Sequence, residues 1–343
     1  MRYPEDLQKE GRIGFIAPSF GMGGLEPYYS RFMSAREKFT KMGYSLVDGP
    51  NVYEDSGIGK SNTAEKCGEE INTFFTRDYS DVIISCGGGE TMCEDLDYVD
   101  FKKIKKSKPK WFMGYSDNTN LTFTLPTICD IAAIYGPCAG DFGMDIWHPS
   151  IEDAFSLLKG EKKSFSNYDG YEKAGVDDNG NFTAPYYITE PYAQMIFNNG
   201  EDEAYFSGRL IGGCLDILSV LCGTPYDNVA AFNEKYKKDG FIWFLESCEL
   251  NAMDVRRVLW TLKRAGWFKY MRGFLIGRPY MYDSNMFGQD IHGAFREALS
   301  EFDVPIIMDI DLGHLSPMMP IVSGAIGKVE AAENKFTLSM EFR

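Results

Sequence analysis

Histidine and basic residues are scarce in this chain of 343 residues. Three histidines (His148, His292 and His314) are too few for a polyhistidine metal site, and the eight cysteines include no Cys-x-x-Cys pair, which excludes the usual zinc-knuckle and redox-motif spacings. Fifty acidic residues against 35 basic ones give a formal charge of −15, which argues against nucleic acid or an anionic membrane as a partner. No apolar run approaches the length of a membrane span, and no signal-peptide pattern is present at the start. We therefore expect a cytoplasmic protein.

Short apolar runs alternate with helical patterns along most of the chain. The runs that predict strands lie at residues 12–18, 44–47, 81–85, 111–113, 131–135, 240–245, 273–277 and 304–308. Because such alternation is typical of a mostly parallel sheet with helices on both faces, we expect an α/β fold. The length suggests two domains.

The composition changes between the two halves of the chain. Residues 161–207 are rich in Gly, Asn, Asp and Tyr and show no long helical period, which indicates an interdomain connection with short strands or a loop lid. We predict an N-terminal domain at residues 1–165, a connection at residues 166–207 and a C-terminal domain at residues 208–343. Tyrosines of the connection, Tyr187 among them, either line a ligand cleft or pack within the short strands.

Residues 111–120 (WFMGYSDNTN) predict a strand, a tight turn and a helix, with Ser116 at the bend. A sharp strand-to-helix turn lifts the serine hydroxyl clear of the sheet, and the helix N-terminus brings backbone N–H donors beside it. Ser116 is therefore a candidate nucleophile, although a serine near a helix start is more often a cap. The turn differs from the usual Gly-x-Ser-x-Gly elbow because Asn118 stands in place of the second glycine.

Three glycines (Gly87, Gly88 and Gly89) follow the predicted strand at residues 81–85. The carboxyl ends of parallel strands meet at one edge of a sheet, so these backbone amides could face Ser116 and supply half of an oxyanion hole. A simple glycine-rich turn is an equal alternative.

Two residues of the second half could complete a catalytic site. Glu246 directly follows the apolar run 240–245, where it is either a solvated loop residue or a carboxylate that orients a histidine. His314 lies in a loop with a glycine before it and a proline soon after. In chain order, Ser116, Glu246 and His314 would be a nucleophile, an orienting carboxylate and a general base. A neutral histidine base predicts that activity falls as the pH drops through its pKa, near 6.5 if unperturbed.

The segments around these residues resemble the serine peptidase family of LD-carboxypeptidases and microcin C self-immunity peptidases. The matching stretches are GFIAPS near the start, the glycines after DVIIS, MGYSDNTNL, YGP, GRLIGG, FLES, GFLIGRP and DLGH with the following Pro317. GYSD and GH are the most specific because they contain the serine and the histidine that the chemistry needs. The matches are spread over nearly the whole chain.

The resemblance implies a doubly wound N-terminal α/β domain that carries the serine, and a C-terminal α/β domain with a barrel-like sheet that carries the glutamate and the histidine, in a homodimer. Ser116 would attack an amide carbonyl, His314 would transfer the proton, and Glu246 would fix the imidazole tautomer. No metal or other cofactor would be required.

The resemblance also implies roles for residues around the three. The backbone N–H groups of Asp117 and Gly88, or alternatively Gly89, would hold the oxyanion. Gly89, Cys214 and Tyr187 are candidate substrate contacts. Family members usually have asparagine where this chain has Cys214, so a substrate-facing amide is missing or replaced. The microcin branch often has tryptophan in the interdomain loop, whereas this loop offers tyrosines and phenylalanines.

The function that the resemblance implies is a serine carboxypeptidase that releases terminal D-alanine from a murein tetrapeptide in peptidoglycan recycling. The alternative within the family is a microcin C self-immunity peptidase, which would cleave an aminoacyl-nucleotide conjugate. Two hypotheses of other kinds are a non-catalytic murein-peptide-binding protein and cysteine chemistry at Cys214 or Cys86.

Overall fold

The computed structural model describes residues 1–23, 26–173 and 180–343. Residues 24–25 and residues 174–179, the latter within the segment predicted as the connection, lie outside the described residues. No helix within the described ranges is long and apolar enough to cross a membrane.

The described residues contain strands that we number in chain order. They are β1 (Arg12–Ile16), β2 (Ser45–Asp48), β3 (Val82–Ser85), β4 (Trp111–Gly114), β5 (Ala133–Tyr135), β6 (Ser164–Ser166), β7 (Gly170–Tyr171), β8 (Glu190–Pro191), β9 (Met195–Phe197), β10 (Glu203–Cys214), β11 (Phe241–Glu246), β12 (Met271–Gly277), β13 (Asn285–Met286), β14 (Gln289–Asp290), β15 (Ile306–Ile310), β16 (Ile321–Ser323), β17 (Ile326–Ala332) and β18 (Lys335–Glu341).

The α-helices are numbered in the same way. They are α1 (Tyr28–Lys41), α2 (Ala64–Thr76), α3 (Phe101–Lys106), α4 (Thr119–Thr124), α5 (Pro149–Leu158), α6 (Leu215–Leu221), α7 (Val229–Tyr236), α8 (Ala252–Arg264) and α9 (Ile291–Leu299). Short 3₁₀ segments lie at Met92–Tyr98, Ser116–Asn118, Ala139–Gly143 and Ser300–Phe302, and a π-helical turn at Leu125–Cys129 follows α4.

The first sheet has the strand order β16-β5-β4-β3-β1-β2. Its neighbouring strands from β5 to β2 are parallel, and β16 pairs antiparallel with β5. The prediction of a mostly parallel N-terminal sheet is therefore confirmed. The edge strand β16 comes from residues 321–323, so a late segment of the chain completes the sheet that carries Ser116.

The second sheet is mixed and has the order β6-β18-β17-β10-β11-β12-β15-β9. Its central strands β10, β11, β12 and β15 are parallel, and its outer pairs are antiparallel. The predicted fold of two α/β domains is confirmed. The edge strands β6 and β9 come from residues near and within the predicted connection, which indeed contains short strands.

Strand β10 was not predicted, because its segment GRLIGGC is rich in glycine. A Cβ on Gly212 would lie 1.8 Å from the carbonyl oxygen of Phe244, and one on Gly213 would lie 2.6 Å from Cγ2 of Thr119. These glycines therefore mark a close approach of β10 to β11 and to α4 rather than a turn. The pairing places Cys214 beside Glu246.

The helices of the second domain follow from local sequence. Asn251 caps α8, since its side-chain oxygen accepts the N–H groups of Met253 and Asp254. Val255, Leu259 and Leu262 are buried at helical spacing on one face. The two domains share an apolar contact in which Phe123 of α4 stacks on Trp267, with ring centroids 5.1 Å apart.

Candidate active site

Ser116 occupies the turn between β4 and α4. Its φ angle is +62°, in the left-handed region that a non-glycine residue adopts at a cost of about 1–3 kcal/mol. This strain is typical of the serine in a nucleophile elbow, whose hydroxyl projects from the sheet edge. The predicted strand, turn and helix are all present.

Asn118 explains why this elbow lacks a second glycine. Its side-chain amide donates to the carbonyl oxygens of Gly87 at 2.8 Å and Tyr115 at 3.0 Å. A Cβ on Gly114 would lie 2.9 Å from Cβ of Asn118, so the asparagine packs directly on the end of β4. Asn118 thus ties the glycine-rich loop after β3 to the serine turn.

His314 lies between Ser116 and Glu246. Its Nε2 is 2.9 Å from Oγ of Ser116, and its Nδ1 is 2.8 Å from Oε2 of Glu246. A Cβ on Gly313 would lie 2.7 Å from the same carboxylate oxygen, which explains the glycine before the histidine. The three side chains form one continuous hydrogen-bonded line across the two sheets.

Glu246 is the last residue of β11 and is fully buried. The interpretation as a solvated loop residue, which the sequence left open, is therefore wrong. Its strand partner Cys214 and the hydroxyl of Tyr135 lie around it, and Tyr135 donates to its Oε1 at 2.5 Å. The carboxylate is thus hydrogen-bonded on both oxygens, as a buried charge requires.

The charges of Glu246 and His314 stabilise each other. Burial alone would raise the pKa of the glutamate, but the charge and hydrogen bond of His314 and the Tyr135 hydroxyl lower it overall. Burial would lower the pKa of His314, but the charge of Glu246 outweighs burial and holds the pKa well above 6.5. The histidine is therefore a stronger base than an isolated imidazole.

Tyr135 is a site residue that the sequence analysis did not single out. Besides donating to Glu246, its hydroxyl accepts the backbone N–H of Ser116 at 3.3 Å. One phenol thus connects the serine turn to the buried carboxylate. The available signal was its position in YGP at the end of β5, at the same sheet edge as the serine.

Backbone amides border the serine hydroxyl. A Cβ on Gly88 would lie 3.3 Å from Cβ and 3.4 Å from Oγ of Ser116, whereas one on Gly89 would lie 2.1 Å from Oγ of Ser19. Gly88 therefore faces the nucleophile and Gly89 packs against the end of β1. Among the described residues, neither the N–H of Asp117 nor that of Gly88 donates a hydrogen bond to an acceptor.

The Asp117 side chain has a structural place in the same turn. Its buried carboxylate accepts the hydroxyl of Ser19 at 2.5 Å, the N–H of Met92 at 3.0 Å and the side-chain amide of Asn120 at 3.0 Å. These bonds join β1, the segment after β3 and α4 around the elbow.

Cys214 is buried beside Glu246, and its backbone N–H donates to Oγ1 of Thr119 at 3.1 Å. Burial raises the pKa of Cys214 and of Cys86 well above the usual thiol value, so neither supplies the thiolate that cysteine chemistry needs.

Tyr187 is 60% exposed and makes no hydrogen bond or ring contact with the three candidate catalytic side chains in the described part of the chain.

Two other aromatic rings contact the histidine instead. Tyr115 and Tyr280 lie with ring centroids 5.3 Å and 6.4 Å from the imidazole. Neither ring was singled out from the sequence, where Tyr115 is simply the residue before the serine.

The surroundings of His314 are acidic. Asp216 accepts the N–H groups of Cys248 at 3.0 Å and Glu249 at 2.8 Å. Burial and neighbouring carboxylates, Glu249 foremost, raise the pKa of Glu90. The described residues include no group of three or more His, Cys, Asp or Glu side chains arranged to hold a metal ion.

The fold has two α/β domains, and a serine, a histidine and a buried glutamate are linked in that order by hydrogen bonds. This combination is typical of a serine hydrolase. The family model for the LD-carboxypeptidase N-terminal domain matches residues 13–136, and that for the C-terminal domain matches residues 207–329. The chain therefore belongs to the peptidase S66 family of LD-carboxypeptidases, which are serine carboxypeptidases and include microcin C self-immunity proteins.

Relatives from both branches of the family align with the chain. The microcin C7 self-immunity protein MccF of Escherichia coli is 23% identical over 86% of this chain and 84% of its own. The probable murein peptide carboxypeptidase of Bacillus subtilis is 22% identical over 96% of this chain and 92% of its own. The solved structure of an MccF-like protein from Bacillus anthracis is 20% identical, covers 99% of this chain and 100% of its own, and has a TM-score of 0.82.

Proposed function

We propose that this protein is an LD-carboxypeptidase that releases terminal D-alanine from a murein tetrapeptide through an acyl-enzyme on Ser116. The observation that carries the proposal is the continuous line from Ser116 through His314 to Glu246, with spacings of 2.9 Å and 2.8 Å. The strained φ angle of the serine supports a role for it as the nucleophile.

In the first half of the reaction, His314 takes the proton of the Ser116 hydroxyl as its oxygen attacks the amide carbonyl. The tetrahedral intermediate collapses when the C–N bond breaks, and the leaving amine takes the proton from the imidazolium. D-Alanine departs and the acyl group stays on the serine oxygen. Water then attacks the ester carbonyl with the same histidine as base. The bond between the acyl carbon and the serine oxygen breaks, the shortened peptide leaves as a carboxylic acid, and the imidazolium returns the proton to the serine oxygen. Glu246 holds the Nδ1 proton throughout, which leaves Nε2 free to act.

The negative charge of the tetrahedral intermediate needs donors beside the serine. We propose that the N–H groups of Asp117 and Gly88 supply them. The support is that Gly88 borders the hydroxyl, that Asp117 directly follows the serine in the turn, and that neither N–H donates elsewhere among the described residues. A single donor of this kind contributes about 10²–10³ in rate.

The acidic surroundings favour the murein peptide over an aminoacyl-nucleotide. Glu249 and Asp216 lie near Glu90 and help to raise its pKa, and Asp216 also accepts the N–H of Glu249 at 2.8 Å. Such carboxylates attract the free amine of a diamino acid on the acyl side and repel a nucleotide phosphate. Solved relatives named MccF bind glutamyl sulfamoyl guanosine or adenosine monophosphate, so the nucleotide conjugate is the competing substrate in the test.

The test is to incubate the protein with a murein tetrapeptide and with an aminoacyl-sulfamoyl nucleoside, and to measure the released D-alanine or nucleoside. We expect D-alanine release, and a loss of about 10⁶-fold in kcat for Ser116→Ala. Ser247→Ala is the matched control, because its buried Oγ has no hydrogen-bond partner among the described residues.

Each contrary result points to a different conclusion. Nucleoside release with no D-alanine would assign the microcin-type activity instead. Saturable binding of the tetrapeptide with no product would assign the non-catalytic alternative. Hydrolysis that survives Ser116→Ala would remove the serine from the mechanism. The homodimer and the domain boundaries stay predictions, which sedimentation analysis and limited proteolysis would test.

A further inference from the structure

A small cavity of about 120 Å³ lies beside the serine turn and has no role in the mechanism above. Backbone of Gly87 and Gly88 and the ring of Tyr115 form the wall nearest the chemistry. The lining also includes two charged residues, Arg31 and Asp141.

The cavity adjoins the reacting atoms on two sides. Gly88 borders it, and a Cβ on this glycine would lie only 3.4 Å from Oγ of Ser116. Tyr115 borders it as well, and its ring packs on His314 at 5.3 Å. A group in this cavity is therefore next to the histidine, which must protonate the leaving amine.

Arg31 is held so that one end of its guanidinium is fixed and the other is available. It lies in the first turn of α1, and its Nε donates to the carbonyl oxygen of Phe182 at 2.6 Å. Its backbone is packed against Gly143, where an added Cβ would lie 1.9 Å from the Arg31 carbonyl oxygen. Within the described ranges, its two terminal nitrogens donate to no acceptor and it joins no ion pair.

Asp141 does not neutralise this guanidinium by direct contact. One of its carboxylate oxygens accepts the N–H of Cys138 at 2.8 Å, and no ion pair with Arg31 forms within 4 Å. Burial raises the pKa of Asp141 to about 6, with Arg31 acting in the opposite direction. Arg31 is thus the cation in this cavity with free, coplanar N–H donors, the geometry that matches a carboxylate in bidentate fashion.

We propose that Arg31 binds the terminal carboxylate of the residue that is cleaved off, and that this cavity is its leaving-group pocket. The inference rests on the proposed carboxypeptidase function and adds the residue that limits it to chain ends. The volume suits one small residue, since sites for drug-sized ligands have about 300–1,000 Å³. A peptide extended beyond its terminal alanine would place a neutral amide at Arg31 and further chain where the cavity ends.

The experiment compares two substrates in each variant: the tetrapeptide that ends in D-alanine and the same peptide that ends in D-alaninamide. Wild-type protein should have a kcat/KM about 10–100-fold higher for the acid, since a charge-assisted bond is lost with the amide. Arg31→Gln should lower kcat/KM for the acid by about the same factor and leave the amide within about twofold. Arg31→Lys keeps the positive charge but not the planar pair of N–H donors, so its kcat/KM for the acid should lie between those of wild type and Arg31→Gln.

Lys38→Gln is the matched control, because it removes one positive charge from the same helix, where its amine donates to the carbonyl oxygen of Asp145. It should keep the wild-type preference for the acid. The ratio of the two substrates is measured within each preparation, so a partly unfolded variant still gives a valid ratio.

The outcomes separate this inference from the proposed function. An Arg31→Gln variant that keeps the wild-type acid-to-amide ratio would overturn the role of Arg31 while D-alanine release stands. A wild-type protein that prefers the amide, or treats both alike, would overturn the carboxylate pocket. Release from neither peptide by wild-type protein would overturn the proposed function and this inference with it.

Discussion

Replacing Glu246 by glutamine tests the electrostatics of the site most directly. The side chain keeps its shape at the end of β11, but the negative charge 2.8 Å from Nδ1 of His314 is removed. Charges about 4 Å apart between centres attract by about 4 kcal/mol at an effective dielectric of about 20. If that attraction stabilises the imidazolium in the transition state, its loss lowers kcat/KM by about 10³-fold.

The glutamine side chain can fit in two orientations, which differ in the amide group that faces His314 and the one that faces Tyr135. With its oxygen toward His314, its NH₂ group faces the Tyr135 hydroxyl, which can accept as well as donate. With its NH₂ group toward Nδ1, the histidine holds its proton on Nε2 and cannot act as a base, which adds to the loss and brings it nearer 10⁴-fold.

The dependence of kcat/KM on pH reports the protonation of His314. His314 must be neutral to act, so kcat/KM falls as the pH drops through its pKa, which lies well above 6.5. Without the Glu246 charge, burial is left to lower the pKa, so the acidic limb of the Glu246→Gln profile should move to lower pH. We would measure kcat/KM on the tetrapeptide from about pH 5 to about pH 9. An unmoved limb, or a loss under about tenfold, would refute the ion-pair argument.

Three further substitutions test contacts around the candidate site and a buried ion pair between Arg278 and Asp311. Gly88→Ala puts a methyl group 3.3 Å from Cβ of Ser116 and should lower kcat by about 10²-fold with an unchanged thermal midpoint, because the methyl group crowds the nucleophile; wild-type kcat would contradict the close approach of residue 88 to the serine. Tyr135→Phe takes a donor from a buried carboxylate and should lower the free energy of unfolding by about 1.5–3 kcal/mol in urea titration, and no change would mean that the bond adds nothing to stability. Asp311→Asn leaves the fully buried Arg278 without its partner charge and should lower the free energy of unfolding by about 3–5 kcal/mol. The double variant Arg278→Met with Asp311→Leu should recover most of that loss. A double variant no more stable than Asp311→Asn would contradict this reasoning.

The strands β1 to β5 of the first sheet were predicted well because each is a short apolar run between turn residues, and that pattern is local. Strand β10 was missed for the opposite reason, since its glycines are required by Phe244 and Thr119, which lie in other parts of the chain. The order of strands, with β16 at the edge of the first sheet, has no local signal at all.

The candidate site likewise has features that the sequence predicts and features that depend on the tertiary structure. The chemical types and flanking motifs of Ser116, Glu246 and His314 single them out in the sequence. Their contacts span 198 residues between the serine and the histidine and 68 between the histidine and the glutamate, so their distances depend on how the two sheets meet. Tyr135, 111 residues from Glu246, was missed because an ordinary strand tyrosine becomes a site residue only through that contact.

The sequence by itself determined the α/β class, the family and the three side chains of the candidate site, because these depend on local periodicity and on motifs that the chain carries in order. Only the tertiary structure decided that Glu246 is buried rather than solvated, that Ser116 is held at a positive φ, and that Arg31 lines a cavity beside Gly88. Burial, strain and pKa are set by neighbours distant in sequence, and only folding brings those neighbours together.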